Sequence, residues 1–276
     1  IASSFGLREI NIPFIGLFGA CSTFVESMIV ASSFIDGDFA TNAICAASSH
    51  FCSAEKQFRF PLELGNQRPP SSQWTVTGSG ATILTKEGNG PFITSFTPGK
   101  IVDMGIKDAN NMGAAMAPAF CDTLITHFKD TNRSFEDYDL ILTGDLSKEG
   151  SQILRSIALY DNLHLDNNYN DCGVMLYDLE NQEEVLAGGS GPVCSALVNF
   201  GYIFNGDKTE REVIDFLSTR RFVTAFVDGT HENFDKINSC RETYWKGGRV
   251  HRIHGNLLHL MRGEVFNIED KTIFTF

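Results

Sequence analysis

Two groups of residues in this 276-residue chain have the types and spacing to do chemistry. The first centres on Cys21, which follows the apolar run Ile12 to Phe18 and precedes Phe24, Met28, Val30, Ala31 and Phe34 at helical spacing. That pattern predicts a buried strand, a sharp corner, and a helix from about Ser22 to Ile35. At such a corner, unpaired backbone N–H groups and the positive end of the helix dipole favour a thiolate. The thiol then serves as a nucleophile or lines a ligand site, although a buried structural cysteine produces the same local pattern.

The second group is cationic and aromatic. A short strand, Ala43 to Ser48, delivers His50 to its tip, and the loop from Phe51 to Gln73 carries Lys56, Arg59 and Arg68 among Phe58, Phe60 and Pro69-Pro70. Long loops in compact domains are often functional, and a solvated excursion is the plain alternative. Two further polar residues sit at predicted helix entrances. Asp145 ends the strand Asp139 to Thr143, where it either contacts a ligand or bonds backbone amides. Ser190 lies in Gly188-Gly189-Ser190-Gly191-Pro192, ahead of a helix from about Val193 to Ile203, a placement that suits an anion.

The elements that must hold these residues alternate. Asp36-Gly37-Asp38 reads as a turn, and Trp74 to Leu84 and Phe92 to Val102 read as strands around Glu87 to Pro91. A long helix starts at Asn110 or Asn111, with Met112, Met116, Phe120, Leu124, Ile125 and Phe128 on one face, a core stripe rather than a cofactor box. A helix from Ser147 to Tyr160 has Ser147 as its candidate cap, and Val174 to Tyr177 reads as a short strand. This order predicts an α/β fold with a layered mixed sheet. Cys21, His50, Asp145 and Ser190 are all expected at the sheet edge where strand tips meet helix starts.

Composition excludes several classes. A net charge of −12 speaks against nucleic acid as a partner. Seven cysteines, an odd number without CxxC pairs, fit a reducing compartment rather than a disulfide framework. No apolar run reaches the roughly eighteen residues of a membrane span, so membrane association is expected through partners or a surface patch. The chain opens on Ile1 and closes on Phe276 inside a strand-like run, Thr272 to Phe276, and reads as a fragment with both ends cut.

An ordered series of words then carries a resemblance: Gly19-Ala20-Cys21-Ser22-Thr23, Ser48-Ser49-His50-Phe51-Cys52, Gln57 to Glu63, Gly65 to Pro70, and Gln73 to Gly78. It continues through Gly105 to Asp108, Asn110 to Ala119, Leu142 to Leu146, Asn170-Asp171-Cys172-Gly173 and Ala187 to Gly191. Together they resemble the stage V sporulation protein AD family over about residues 1–205. The resemblance implies a thiolase-like fold, with Cys21 at the nucleophile position. It implies that the usual catalytic His falls on Gly144 or Asp145, and the usual Asn on Gly189 or Ser190. With base and oxyanion donor both replaced, carbon–carbon bond formation is disfavoured.

What the resemblance implies instead is a non-catalytic pocket, without cofactor, that binds dipicolinic acid (pyridine-2,6-dicarboxylate) and supports its uptake into the developing spore. Membrane proteins of the same sporulation stage are then the expected partners, the spore or forespore, peripheral to the inner membrane, the expected location, and a homodimer an expected assembly. A planar dianion calls for a guanidinium or ammonium group, helix N-terminal amides and an aromatic surface. Cys21, His50, Lys56, Arg59, Arg68, Asp145 and Ser190 are the candidate ligand contacts, and Phe58 or Phe60 the ring contact. The rival reading is an acyl-transferring condensing enzyme that uses Cys21.

Beyond Phe200 the vocabulary changes. A charged helix, Lys208 to Leu217, and a strand, Phe222 to Val227, precede Asp228-Gly229-Thr230-His231-Glu232, which resembles the Gly-Asn-His-Glu signature of calcineurin-like metallophosphoesterases. Gly201 to Gly206 and Leu258 to Phe266 resemble the same superfamily. A dinuclear site needs several Asp, His and Asn ligands close together, and here Thr230 stands at the ligand Asn position. His231, His251, His254 and His259 lack carboxylate partners at matched spacing, which makes His231 a weak metal candidate and a phosphoesterase a second rival reading. The expected organisation is a partial thiolase-like domain, 1–200, joined to a phosphoesterase-like fragment, 201–276.

Overall fold

The computed structural model describes residues 2–51, 67–88, 91–165, 168–203, 222–224 and 270–275. Its architecture is mixed α/β. After α1 (Ala2–Leu7), helix α2 (Thr23–Asp36) follows the short helical turn Ala20–Ser22, as the apolar spacing predicts. It buries Phe24, Val25, Met28, Ala31 and Ile35, packed against strands β1 (Asn42–Ser49) and β3 (Gly78–Thr85) and against helix α6 (Pro192–Val198). Phe24 meets Phe200 edge to face, with ring centroids 5.5 Å apart.

Strands β1 and β3 form an antiparallel pair in unbroken register, from Asn42 opposite Thr85 to Ser49 opposite Gly78. Between them in sequence, β2 (Trp74–Thr75) pairs in parallel with β7 (Gly189–Ser190). The expected single strand Trp74 to Leu84 is therefore two. The Val76 N–H bonds the Ser190 carbonyl and the Ser49 hydroxyl bonds the Val76 carbonyl, so residues 76–77 step from one sheet to the other.

The third sheet is parallel and has the order β4 (Pro91–Thr97), β9 (Asp270–Thr275), β8 (Phe222–Thr224), β5 (Leu140–Thr143), β6 (Tyr169–Asp171). Strand β4 stops at Thr97 instead of running to Val102, because Pro98-Gly99 follows and proline cannot donate to the ladder. Helices α3 (Met112–Thr131) and α4 (Ser147–Tyr160) pack closely on each other through Gly113 and Gly150. A Cβ added at Gly113 would lie 2.7 Å from the Gly150 Cα. Asn111 caps α3 by accepting the Ala114 N–H at 3.1 Å, as expected.

The largest core cluster joins the expected stripe residues Phe120, Leu124 and Phe128 of α3 to Ile141, Leu146 and Leu154. Within that region His127 is fully buried, its Nδ1 2.9 Å from the Thr97 hydroxyl and its Nε2 3.0 Å from the Tyr138 hydroxyl. Burial lowers its pKa from 6.5 to about 4, so the ring is neutral near pH 7.

Three local expectations are corrected. Ile12 to Phe18 is not a buried strand: Ile12, Phe14, Ile15 and Phe18 are exposed, and among the described residues no strand pairs with them. Val174 to Tyr177 is not a strand, because the Asp171 side chain accepts the Val174 N–H and starts the short helix α5 (Cys172–Met175). Ser147 is not the cap of α4. The N-cap is Leu146, which has no capping side chain, and the free N–H groups there bond Asp171, 24 to 25 positions onward. The charged helix Lys208 to Leu217, the Asp228 to Glu232 segment and His231, His251, His254 and His259 lie outside the described residues, as do Phe58 and Phe60.

Candidate functional site

The turn holding Cys21 is built by local hydroxyl bonds. The Gly19 N–H donates to the Thr23 hydroxyl at 3.0 Å, and the Ser22 and Thr23 hydroxyls donate to the carbonyls of Gly19 and Ala20. Ala20 sits at φ +50°, in the left-handed region that an L-residue adopts at a cost, and this sets up the sharp corner. Gly19 is confined as well, since a Cβ there would fall 2.4 Å from the Ser22 hydroxyl and 2.5 Å from a Glu26 carboxylate oxygen. Cys21 is half-buried, at the mouth of α2, and its turn packs against α6.

The glycine turn Gly188–Gly191 opens α6 and is held from two sides. Gly191 has φ +102°, and its N–H donates to the Asp145 carboxylate at 2.8 Å, while the Ser190 hydroxyl lies 3.4 Å from the same oxygen. Asp145 and Ser190 are each only 3% exposed. Of the two notions for Asp145, a backbone-bonding one therefore has a concrete geometry, at the entrance of α6 rather than of its own helix. On the other side the Ser147 hydroxyl donates to the Gly189 carbonyl at 2.7 Å, and the Lys148 N–H donates to the Ala187 carbonyl.

Behind the turn lies Asp171, a residue the sequence reading did not single out. Its carboxylate is buried and accepts four bonds: from the Thr143 hydroxyl at 2.6 Å, the Leu146 and Ser147 N–H groups at 2.8 Å each, and the Val174 N–H at 3.2 Å. Burial is the largest influence on it and raises its pKa from 3.8 to about 7, a rise that the negative Asp145 adds to and that these hydrogen bonds reduce. Only its place in the word Asn170-Asp171-Cys172-Gly173 marked it beforehand.

His50 follows directly after β1 and is exposed. Ser49, its neighbour, has its hydroxyl 3.7 Å from where a Cβ on Gly191 would stand, so the tip of β1 and the glycine turn share one edge. Next to them, Phe51 stacks on Trp74 with centroids 4.2 Å apart, and the half-buried Arg68 guanidinium lies 5.0 Å from the Trp74 ring and 5.7 Å from the Phe51 ring. Arg68 also donates to the Gln73 carbonyl at 3.2 Å, and the buried Gln73 amide donates to the Asp145 carbonyl at 2.5 Å. A continuous path thus runs from the cation over two rings to the glycine turn. Lys56 and Arg59 lie outside the described residues. Neither Phe51 nor Trp74 was a candidate contact; the available signal was Trp74, six positions after Arg68, while Phe51 lies 17 positions before it.

Among the described residues no group of three or more His, Cys, Asp or Glu side chains is arranged to hold a metal ion. No described helix is long and apolar enough to cross a membrane.

The fold and the site define a mixed α/β protein whose strand tips and helix entrances converge on a glycine turn, with a helix-mouth thiol on a turn that packs against α6. The sequence profile of the Stage V sporulation protein AD (SpoVAD) family matches residues 1–219, and the chain belongs to that family. It is 48% identical over 204 residues to "Stage V sporulation protein AD" of Bacillus subtilis (strain 168), an alignment covering 74% of this chain. The chain spans about 60% of the length of that relative.

Proposed function

We propose that this sporulation protein is a non-catalytic, thiolase-like binding protein for dipicolinic acid, acting in the movement of that acid into the developing spore. The observation that carries the reading is the bond from the Gly191 N–H to the Asp145 carboxylate. By resemblance to the thiolase-like enzymes, Asp145 or its neighbour stands where the catalytic His belongs, and Ser190 or its neighbour where the Asn belongs. Here the carboxylate is occupied by a backbone amide and lies within 3.4 Å of the Ser190 hydroxyl, an arrangement that holds a turn in place. A thiolate needs a base and an oxyanion donor at hand for condensation, and this pair is engaged elsewhere.

The adjoining surface suits the proposed ligand. Arg68, 5.0 Å from the Trp74 ring centroid and anchored on the Gln73 carbonyl, presents positive charge beside an aromatic surface, and the exposed His50 stands at the same edge. A planar pyridine dicarboxylate matches those features in shape and charge. Membrane proteins of the same sporulation stage are the proposed partners, with the spore or forespore, peripheral to the inner membrane, as the proposed location.

The test is calorimetric titration of the purified chain with dipicolinate, alongside incubation with acetyl-CoA and malonyl-CoA and mass analysis of Cys21. Saturable dipicolinate binding without thioester formation or turnover is the expected result. Turnover of an acyl thioester, abolished by alkylating Cys21, overturns it. The half-buried thiol beside the left-handed Ala20 is the specific feature that favours this acyl-transfer alternative.

A further inference from the structure

The glycine turn is tethered by two buried acids that come from different loops, and only one of them touches it directly. Asp145 holds Gly191, while Gly189 is held through Ser147, whose N–H in turn donates to Asp171 at 2.8 Å. Ser147 is fully buried with φ +58°, a conformation that an L-residue keeps only where the surroundings demand it. Its surroundings are tight. A Cβ on Gly173 would fall 2.4 Å from the Ser147 hydroxyl and 2.5 Å from the Gly189 carbonyl, so neither can move toward α5.

Strain of this kind costs stability unless it accomplishes something, and Gly or Asn would fit the backbone better at position 147. What serine supplies is a hydroxyl that fixes the direction of the Gly189 carbonyl and hence of the peptide groups that follow. We propose that Ser147 and Asp171 are positioning residues for the ligand site: Asp171 locks Ser147 in its left-handed conformation, and Ser147 sets the orientation of the buried Gly189 to Gly191 backbone, which supports the tip of β1 at the ligand edge. This rests on the proposal that the edge beside the glycine turn, with Arg68 and His50, is the dipicolinate site. The groups facing Asp171 are Asp145, the Tyr169 and Thr143 side chains from β6 and β5, and Ser147 from α4, with the Arg155 guanidinium 4.9 Å beyond over the Tyr169 ring.

Ser147→Gly separates positioning from plain structural support. It relieves the left-handed strain but takes the hydroxyl from the buried Gly189 carbonyl, so the two effects oppose each other and its Tm is expected to stay within a few degrees of the unsubstituted chain. Dipicolinate affinity in the same variant is expected to fall roughly two- to tenfold, the worth of one net hydrogen bond. In the ligand-free protein, amide hydrogen exchange at Gly191 is expected to quicken by a similar factor. Asp171→Asn, which keeps the shape but alters the charge, is expected to change the pH dependence of dipicolinate affinity around the buried acid's pKa of about 7. Unchanged Gly191 exchange in Ser147→Gly overturns the inference, whatever the ligand result. Faster exchange with no dipicolinate binding by the unsubstituted chain leaves the tether standing and overturns the dipicolinate reading and the ligand-positioning role with it.

Discussion

The Asp145 carboxylate accepts the Gly191 N–H at 2.8 Å across 46 positions of sequence, and so ties the loop after β5 to the entrance of α6. Removing that acceptor strands a buried donor. Asp145→Ala is expected to cost roughly 1–3 kcal/mol of stability, and Asp145→Asn, which keeps an acceptor oxygen, distinctly less. Urea unfolding of the three proteins measures both, and equal losses for Ala and Asn would show that the amide bond is not what the carboxylate contributes.

Two buried groups pull stability in opposite directions with pH. His127, lowered to about 4, takes up a proton more readily unfolded than folded between pH 4 and its ordinary 6.5, so it makes stability rise with pH in that window. Asp171, raised to about 7 from 3.8, holds its proton more readily when folded, and makes stability fall as pH rises from 3.8 to 7. The two contributions are of similar size, on the order of 3 kcal/mol each, and overlap. A shallow pH dependence between pH 4 and 6.5 is therefore expected. His127→Gln should expose a decline with rising pH and Asp171→Asn a rise, both read from denaturant midpoints at half-unit pH steps; parallel profiles for all three proteins would refute the balance.

Helices α3 and α4 approach through their backbones at Gly113 and Gly150. A methyl group at Gly113 would meet the Leu146 carbonyl oxygen at 2.6 Å and the Gly150 backbone nitrogen at 2.7 Å, atoms that cannot rotate aside. Gly113→Ala is expected to destabilise by roughly 1–3 kcal/mol despite the better helix propensity of alanine, as overpacking does. Thermal unfolding decides it, since a raised Tm would mean the helices can part without penalty.

The aromatic and cationic edge offers a direct ligand test. Arg68→Ala should weaken dipicolinate binding by about tenfold or more, the scale of a lost charge-assisted contact, and Arg68→Lys should recover only part of it because an ammonium lacks the planar, bidentate fork of a guanidinium. Dipicolinate should also quench the fluorescence of Trp74. If Arg68→Ala binds as the unsubstituted chain does, the ligand does not use this edge.

Periodicity made the helices legible. The stripes of α2 and α3 and the Asn111 cap follow from spacing and from one side chain bonding a near neighbour, which are local facts. Strand β1, delivering His50, was legible for the same reason. Strand limits were not, where pairing is non-local: Val76 leaves one sheet because Ser49 and Ser190 bond its backbone, and nothing near position 76 announces this. The run Ile12 to Phe18 misled because apolar content was read as burial, although a strand also needs a partner for its backbone.

The amino-acid sequence alone determined the family, the helix-mouth thiol, and the acidic balance that speaks against nucleic acid. Only the tertiary structure decided which acid serves which helix. Asp145 holds the entrance of α6, and Asp171 holds the entrances of α4 and α5, where proximity in sequence had suggested Asp145 and Ser147 for α4. The physical reason is that a buried carboxylate bonds whatever donors the packing brings within about 3 Å. Here the donors to Asp171 from the start of α4 are 24 and 25 positions away, and the donor to Asp145 is 46.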